Sequence, residues 1–149
     1  MTEISFYHLL NTSVEKAIPQ LVEKLLESGL RGLIRTGSEE RAEVISSVLW
    51  TYDAASFIPH GTKHDANAME QPIWITSDDE NSNHAKIILL IDGVTCADLK
   101  SYLRCLDIFD GRDVNAVREA RIRWQSYNDS GHAITYWRQT EMGGWEKKV

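Results

Sequence analysis

The chain has 149 residues, of which 42% are apolar and 26% charged, so it is expected to form one soluble globular domain with a buried core. Its net charge of −6 argues against a primary nucleic-acid-binding surface, and its longest apolar run, 87–91, is too short to span a membrane. No signal peptide is evident. Cys96 and Cys105 form no metal or redox motif, so we expect reduced thiols in a cytoplasmic protein.

The first part of the chain predicts a strand followed by an amphipathic helix. Residues 3–10 are rich in Ile, Phe, Tyr and Leu, which favours a strand. Thr12 and Glu15 have the spacing of a capping box, and Gly29 is the expected end of the helix. Between them the apolar residues recur at helical spacing: Val14, Ala17, Ile18, Leu21, Val22, Leu25 and Leu26. Pro19 lies off this stripe and is expected to kink the helix or to mark its start.

The middle of the chain continues the alternation of strand and helix. Residues 31–36 predict a short strand, and Ser38 is the expected cap of a second helix. The predicted buried face of that helix is Ala42, Ile45, Val48 and Leu49. A long connection over 52–72 leads to predicted strands at 73–76 and 86–91. The second of these is nearly all apolar, as expected for a strand covered on both faces.

The last part of the chain completes an α/β pattern. Residues 103–109 predict a strand, with a helix as the alternative, and a long helix and a final strand follow at 113–131 and 133–138. We therefore expect a single α/β domain over 1–138 with a Rossmann-like three-layer arrangement, in which a largely parallel sheet lies between helices. The C-terminal tail, 139–149, is expected to be loosely ordered.

The most distinctive segment is the long helix at 113–131, which carries arginines beside apolar residues. The residues that share one side by their spacing are Val114, Val117, Arg121 and Trp124. Arg118 and Arg123 lie close by, and the net charge is +2 over 112–149 but −8 over 38–110. Arginines beside an apolar wall suit an acidic peptide that ends in an aromatic residue, because a guanidinium binds a carboxylate through two parallel hydrogen bonds. The helix thus predicts a binding module rather than an enzyme.

Other kinds of site have weaker support in the sequence. Residues 36–38 join a strand to a helix, the usual place for a phosphate, but they lack the glycine-rich patterns of nucleotide sites. His60, His64 and Asp65 could suggest a metal, but no second cluster completes a ligand set. No nucleophile motif is present either, so we expect no catalytic residues, no metal and no cofactor.

Short motifs spread over nearly the whole chain carry a family resemblance. They are Phe6-Tyr7, Leu49-Trp50, Ser56-Phe57-Ile58-Pro59-His60 and the run Ala120-Arg121-x-Arg123-Trp124-x-x-Tyr127-x-x-x-Gly131. Together with the chain length, they make the chain resemble the chi subunit of bacterial DNA polymerase III. The resemblance implies a Rossmann-type fold that binds no nucleotide, and a non-catalytic accessory role in the clamp-loader complex during DNA replication.

The resemblance also implies two protein partners. One is the psi subunit, which connects chi to the clamp loader, and the residues that match the psi-facing stretch are Trp50, Asp53 and Phe57. The other is the acidic, Phe-ending C-terminal tail of the single-stranded-DNA-binding protein. Arg121 and Trp124 match the tail-binding site, and Val117, Arg118 and Arg123 are expected to complete it. DNA would be contacted only through these partners.

Two alternatives remain open at the level of sequence. A small Rossmann-like enzyme that uses a nucleotide would need a glycine-rich turn after the first or second strand, which is absent here. Direct nucleic-acid binding through the basic C-terminal region would show a steep dependence on salt.

Overall fold

The computed structural model describes residues 2–52, 58–65 and 67–148. The helices and strands, in chain order, are β1 (Glu3–Leu9), α1 (Val14–Glu27), β2 (Gly32–Arg35), α2 (Glu39–Thr51), β3 (Gly61–Thr62), β4 (Ile73–Thr76), β5 (Ile87–Leu90), β6 (Arg104–Asp110), α3 (Val114–Asp129), β7 (Ala133–Gln139) and β8 (Trp145–Lys147). Short 3-10 turns lie at Ala68–Glu70 and Leu99–Ser101. The strands and helices predicted from the sequence are confirmed, and Arg104–Asp110 is a strand rather than a helix. Within the described residues, no helix is long and apolar enough to cross a membrane.

The strands form a sheet in the order β3-β4-β2-β5-β6-β1-β7-β8. All neighbouring pairs are parallel except β7 and β8, which are antiparallel. Helices α1 and α2 pack on one face and α3 on the other, so the expected single α/β domain with three layers is confirmed. All four residues of β5 are buried, as predicted from its apolar sequence.

Local sequence signals explain where α1 and α2 begin. Ser13, not Thr12, caps α1, and its Oγ accepts a hydrogen bond from the Lys16 amide at 3.3 Å. Ser38 caps α2 as predicted, accepting from the Arg41 amide at 3.2 Å. The expectation that Pro19 lies off the buried stripe was wrong, because α1 begins before it and Pro19 is itself buried. The buried face of α2 is Ala42, Ile45, Ser46 and Leu49, whereas Val48 is only half-buried.

An ion pair in the core anchors α3 to the sheet. Asp107 lies in the middle of β6, and Arg123 lies on the buried face of α3. The guanidinium donates twice to the carboxylate, from Nε to Oδ2 at 2.7 Å and from Nη2 to Oδ1 at 2.9 Å. Burial raises the pKa of the Asp107 carboxyl, against the lowering effect of Arg123. Two charges with this degree of burial stabilise the fold only as a pair.

The residues after 138, expected to be loose, contain the end of β7 and the short strand β8. Gln139 is buried, and its Oε1 accepts from the backbone amides of Leu10, Asn11 and Thr12 at 3.0, 2.7 and 3.3 Å. Its Nε2 donates to Thr12 Oγ1 at 3.0 Å. The loop between β1 and α1 is therefore held by a side chain from the other end of the sequence.

Arg123→Met should lower the free energy of unfolding by about 3–5 kcal/mol, because it leaves the Asp107 carboxylate buried without its partner. Combining it with Asp107→Leu removes both charges and should recover most of the loss. Urea denaturation followed by tryptophan fluorescence gives the free energy of unfolding of Arg123→Met, of Asp107→Leu and of the double variant. Additive losses in the double variant would contradict the idea that the two charges depend on each other.

Gln139→Leu should cost about 1–3 kcal/mol, because three backbone N–H groups lose their acceptor. Gln139→Glu keeps an acceptor oxygen at the same reach and should stay close to the original stability. Thermal unfolding of the two variants gives the comparison. Equal losses would show that side-chain fit, not hydrogen bonding, stabilises the loop.

Candidate functional site

A pocket of about 420 Å³ opens between α3 and the C-terminal strands, and it is called the α3–β7 pocket below. Its lining residues are Ala120, Arg121, Trp124, Gln125, Tyr136 and Lys148. Four of them lie on α3, Tyr136 on β7 and Lys148 just after β8. Because α3 is the connection between β6 and β7, it covers the face of β7 from which Tyr136 projects. The pocket therefore follows directly from the order of the elements.

The walls of this pocket are aromatic. Tyr136 is half-buried. Its ring stacks on that of Phe6, with 6.1 Å between the ring centroids, and its centroid lies 6.4 Å from that of Phe109. Trp124 is half-buried and packs against the same apolar core. Ala120 contributes a methyl group to the lining, which leaves space that a larger residue would fill. The pocket thus offers ring faces that suit an aromatic side chain.

The rim of the pocket is basic. Arg121 is exposed, and among the described residues that line the pocket none is acidic. Burial raises the pKa of Tyr136, while the charges of Arg121 and Arg138 lower it, which places both guanidinium groups within electrostatic reach of the ring. The ammonium group of Lys148 adds a third positive charge and forms an exposed ion pair with Glu146 at 3.0 Å. A carboxylate entering this pocket therefore meets several cations at once.

The structure separates the five residues predicted for peptide binding. Arg121 and Trp124 line the α3–β7 pocket. Val117 lies one turn earlier, half-buried against the core, and Arg118 is exposed on the outer side of α3. Arg123 is 7% exposed and is engaged by Asp107, away from the pocket lining.

The side of α3 that the sequence analysis singled out, from Val114 to Trp124, is a flank of the helix and not its buried face. Its first member, Val114, is 74% exposed, whereas the buried residues of α3 are Ala120, Arg123 and Tyr127. The arginine that lies in the apolar stripe is therefore Arg123, not Arg121. An inward-facing acid in the apolar strand β6, Asp107, was the available signal for that pairing.

The sequence analysis also missed pocket residues on the C-terminal strands. Tyr136 lines the pocket, and Arg138, two residues later in β7, points to the same face because side chains alternate along a strand. Lys148 was overlooked because the tail was expected to be loose. The alternation Ile134, Tyr136, Arg138 could have identified Tyr136 as a lining residue, and Arg138 as a cation on the same face, once α3 was assigned to that face.

A second crevice lies at the carboxyl ends of β5 and β6, where nucleotides bind in many α/β proteins. Its volume is about 280 Å³, and its lining includes the acids Asp92, Asp110, Asp113 and Glu119. The Gly37 amide, at the turn before α2, donates to Asp92 Oδ2 at 3.0 Å. The amides in the loop between β1 and α1 donate to the Gln139 side chain. These carboxylates repel a phosphate group. The backbone amides that could bind a phosphate already donate to side chains. Both observations disfavour the alternative that the chain is an enzyme that uses a nucleotide.

A sequence model of the family described as "DNA polymerase III chi subunit, HolC" matches residues 1–135. The chain belongs to the DNA polymerase III chi subunit family. It is also 29% identical over 152 residues to a "Probable DNA polymerase III subunit chi" from Rickettsia prowazekii (strain Madrid E), across 99% of this chain and 92% of the relative. The family resemblance stated from the sequence motifs is confirmed.

Solved structures similar to this chi-family chain share its fold. T4 UvsW superposes with a TM-score of 0.63 at 10% identity, over 92% of this chain and 41% of UvsW, so the chain spans less than half of that protein. The C-terminal domain of the DEAD-box protein Dbp5 superposes with a TM-score of 0.56 at 13% identity, over 91% of this chain and 90% of that domain. At these identities the likeness concerns the α/β architecture alone.

The chi resemblance also directs attention to the end of α2. Trp50 is 60% exposed, and its ring lies 5.0 Å from that of His60. Asp53 and Phe57, the other two residues matched to the psi-facing stretch, lie outside the described residues. Trp50 therefore presents a large apolar surface next to His60, the residue that precedes β3.

The histidines considered for a metal have separate protein partners in this chi-family chain. His60 is buried, and its ring nitrogens lie 3.2 Å from Ser46 Oγ and 2.8 Å from the Ile58 carbonyl oxygen. His64 is exposed beside Glu39 at 3.1 Å, and Asp65 accepts from the Thr62 amide at 2.8 Å. No group of three or more potential ligands comes together among the described residues.

Proposed function

We propose that this chain is a non-catalytic chi subunit in the cytoplasm that links the clamp-loader complex, through psi, to the acidic C-terminal tail of the single-stranded-DNA-binding protein. The observation that carries the proposal is the α3–β7 pocket, in which aromatic walls lie beneath a basic rim. A peptide end with one aromatic side chain and several carboxylates complements both properties. The chain contacts DNA only through the single-stranded-DNA-binding protein, in keeping with its overall charge of −6.

In the proposed complex, the terminal aromatic ring of the tail lies between Trp124 and Tyr136. Arg121 binds the terminal carboxylate, because its guanidinium is exposed at the rim and forms no ion pair with another of the described residues. The preceding aspartates extend toward Arg118 on one side or Lys148 on the other. We leave Arg123 out of the binding site because Asp107 already occupies its guanidinium.

Arg121→Ala should weaken peptide binding by about 2–5 kcal/mol, at least about 30-fold, because the peptide carboxylate, which the bound tail encloses together with the guanidinium, loses its charged partner. The probe is a synthetic peptide in which aspartates precede Ile-Pro-Phe, titrated calorimetrically with a free or an amidated C-terminus. The original protein should bind the free form, less tightly in high salt, and bind the amide poorly.

Lys24→Ala is the matched control, because Lys24 is an exposed cation on α1 at the opposite face of the sheet. It removes the same charge and should leave the peptide affinity nearly unchanged. Circular dichroism verifies that both variants are folded. Full affinity in Arg121→Ala would refute the site assignment, and equal weakening in both variants would indicate general charge attraction instead of a defined pocket.

Trp50→Ala should weaken binding to the psi subunit of the same organism, because an exposed tryptophan is the kind of residue that dominates protein interfaces. Trp124→Ala, in contrast, should impair peptide binding and leave psi binding intact. Co-purification with psi and peptide titration, applied to both variants, separate the two surfaces. Loss of both partners in either variant would contradict two independent interfaces.

A further inference from the structure

His8 lies beneath the α3–β7 pocket without lining it. It belongs to β1, the strand between β6 and β7, and is half-buried. Its ring lies 5.0 Å from that of Phe109 and 5.8 Å from that of Tyr136. Its Nδ1 is 2.5 Å from the Tyr136 hydroxyl oxygen. A polar group is therefore fixed directly behind one of the two aromatic walls of the pocket.

The surroundings of His8 determine the direction of this hydrogen bond. Gly111 lies against the Nε2 edge of the imidazole, and its backbone favours the protonated form of the ring. With a proton on Nε2 toward Gly111, Nδ1 is the acceptor, and the Tyr136 hydroxyl is the donor. Burial raises the pKa of Tyr136, so its hydroxyl keeps the proton that it donates.

Gly111 shows how closely the ring is confined. A Cβ built on Gly111 would lie 2.1 Å from His8 Nε2 and 2.5 Å from the carbonyl oxygen of Leu9. The glycine lets the backbone approach the imidazole edge, so His8 is held between Gly111 on one side and Tyr136 on the other. The ring has little freedom, and neither does the tyrosine hydroxyl bonded to it.

We propose that His8 is a positioning residue for the α3–β7 pocket, which holds the Tyr136 ring in place and thereby sets the affinity for an acidic peptide that ends in an aromatic residue. The inference rests on the proposed function for the identity of the ligand. The contact between His8 and Tyr136 exists in the protein alone and can be measured without any peptide.

A second consequence concerns charge. His8 faces Arg138 and Tyr136 on β7, Arg121 on α3 and Asp110 on β6. Burial, followed by Arg138 and Arg121, lowers the pKa of His8, and the Gly111 backbone and Asp110 oppose this. The His8 imidazole is therefore harder to protonate than a free histidine side chain. Protonation of Nδ1 reverses the hydrogen bond, so that Nδ1 donates to the Tyr136 hydroxyl oxygen and the contact is kept. A bound anionic peptide favours the charged form, so by linkage acidification from pH 7 toward pH 5 should tighten peptide binding.

The first test is a double-mutant cycle with the aspartate-Ile-Pro-Phe peptide at pH 7. His8→Leu and Tyr136→Phe each remove one partner of the hydrogen bond, and each should weaken binding about 3- to 10-fold, the value of one net hydrogen bond. The combined variant should be no weaker than the worse single one. His8→Asn, whose amide oxygen can take the position of Nδ1, should restore most of the affinity.

The second test is the pH profile of binding between pH 7 and 5. The original protein should bind more tightly at the acidic end, and His8→Asn should lose this dependence. His132→Asn is the control, because His132 lies near Tyr127 at the far end of α3 and should keep the original profile. A purely structural role of His8 would lower affinity without changing the profile.

The third test needs no peptide: NMR titration of the His8 imidazole in the original protein and in Tyr136→Phe. A changed His8 pKa in the variant supports the contact, and an unchanged pKa overturns the inference whether or not peptide binds. Binding by His8→Leu at the original affinity also overturns it. Failure of the proposed function is distinct, because the original protein itself would then not bind the peptide.

Discussion

The buried pair of Asp107 and Arg123 fixes how α3 lies on the sheet. The two side chains meet through two hydrogen bonds inside an otherwise apolar layer, so neither can leave its position without abandoning the other in the core. Successive residues of a helix are rotated by about 100°. With Arg123 directed at β6, Arg121 and Trp124 lie next to each other on the flank of α3 that borders the pocket. The geometry of the pocket thus depends on an interaction outside it.

Three arginines within six residues of α3 consequently have three different environments. Arg118 is exposed on the outer side, Arg121 lies at the rim of the pocket, and Arg123 is enclosed in the core. The same separation applies to the whole molecule. Acidic side chains gather in the crevice at the carboxyl ends of β5 and β6, whereas the cations near β7 surround aromatic rings. The acidic protein thus presents a local cluster of cations beside β7.

The sequence predicted the order and type of the elements well, because the apolar residues of α1, β2 and β5 follow helix and strand periods closely. It also directed attention to Arg121 and Trp124, which line the α3–β7 pocket, through their spacing along one side of the helix and through the family resemblance. It placed Arg123 with them, since spacing along one helix does not reveal an acid on a distant strand. Tyr136 and Lys148 were missed for a related reason. Tyr136 reaches the pocket only because β7 lies under α3, and Lys148 only because β8 pairs antiparallel with β7.

The register of β1 has a consequence for how the protein folds. Glu3 pairs with Arg104 on one side and with Ala133 on the other, so the first strand to be synthesised lies between two of the last. Its partners are separated from it by about two thirds of the chain or more, and contacts of such long range slow folding because a large loop must close first. On the ribosome, β1 must wait until β6 and β7 have emerged, whereas α1 can already pack against β2 and α2. The same strand that holds His8 behind the pocket therefore has no neighbouring strand until β6 has emerged, and until then it is exposed to premature association with other chains.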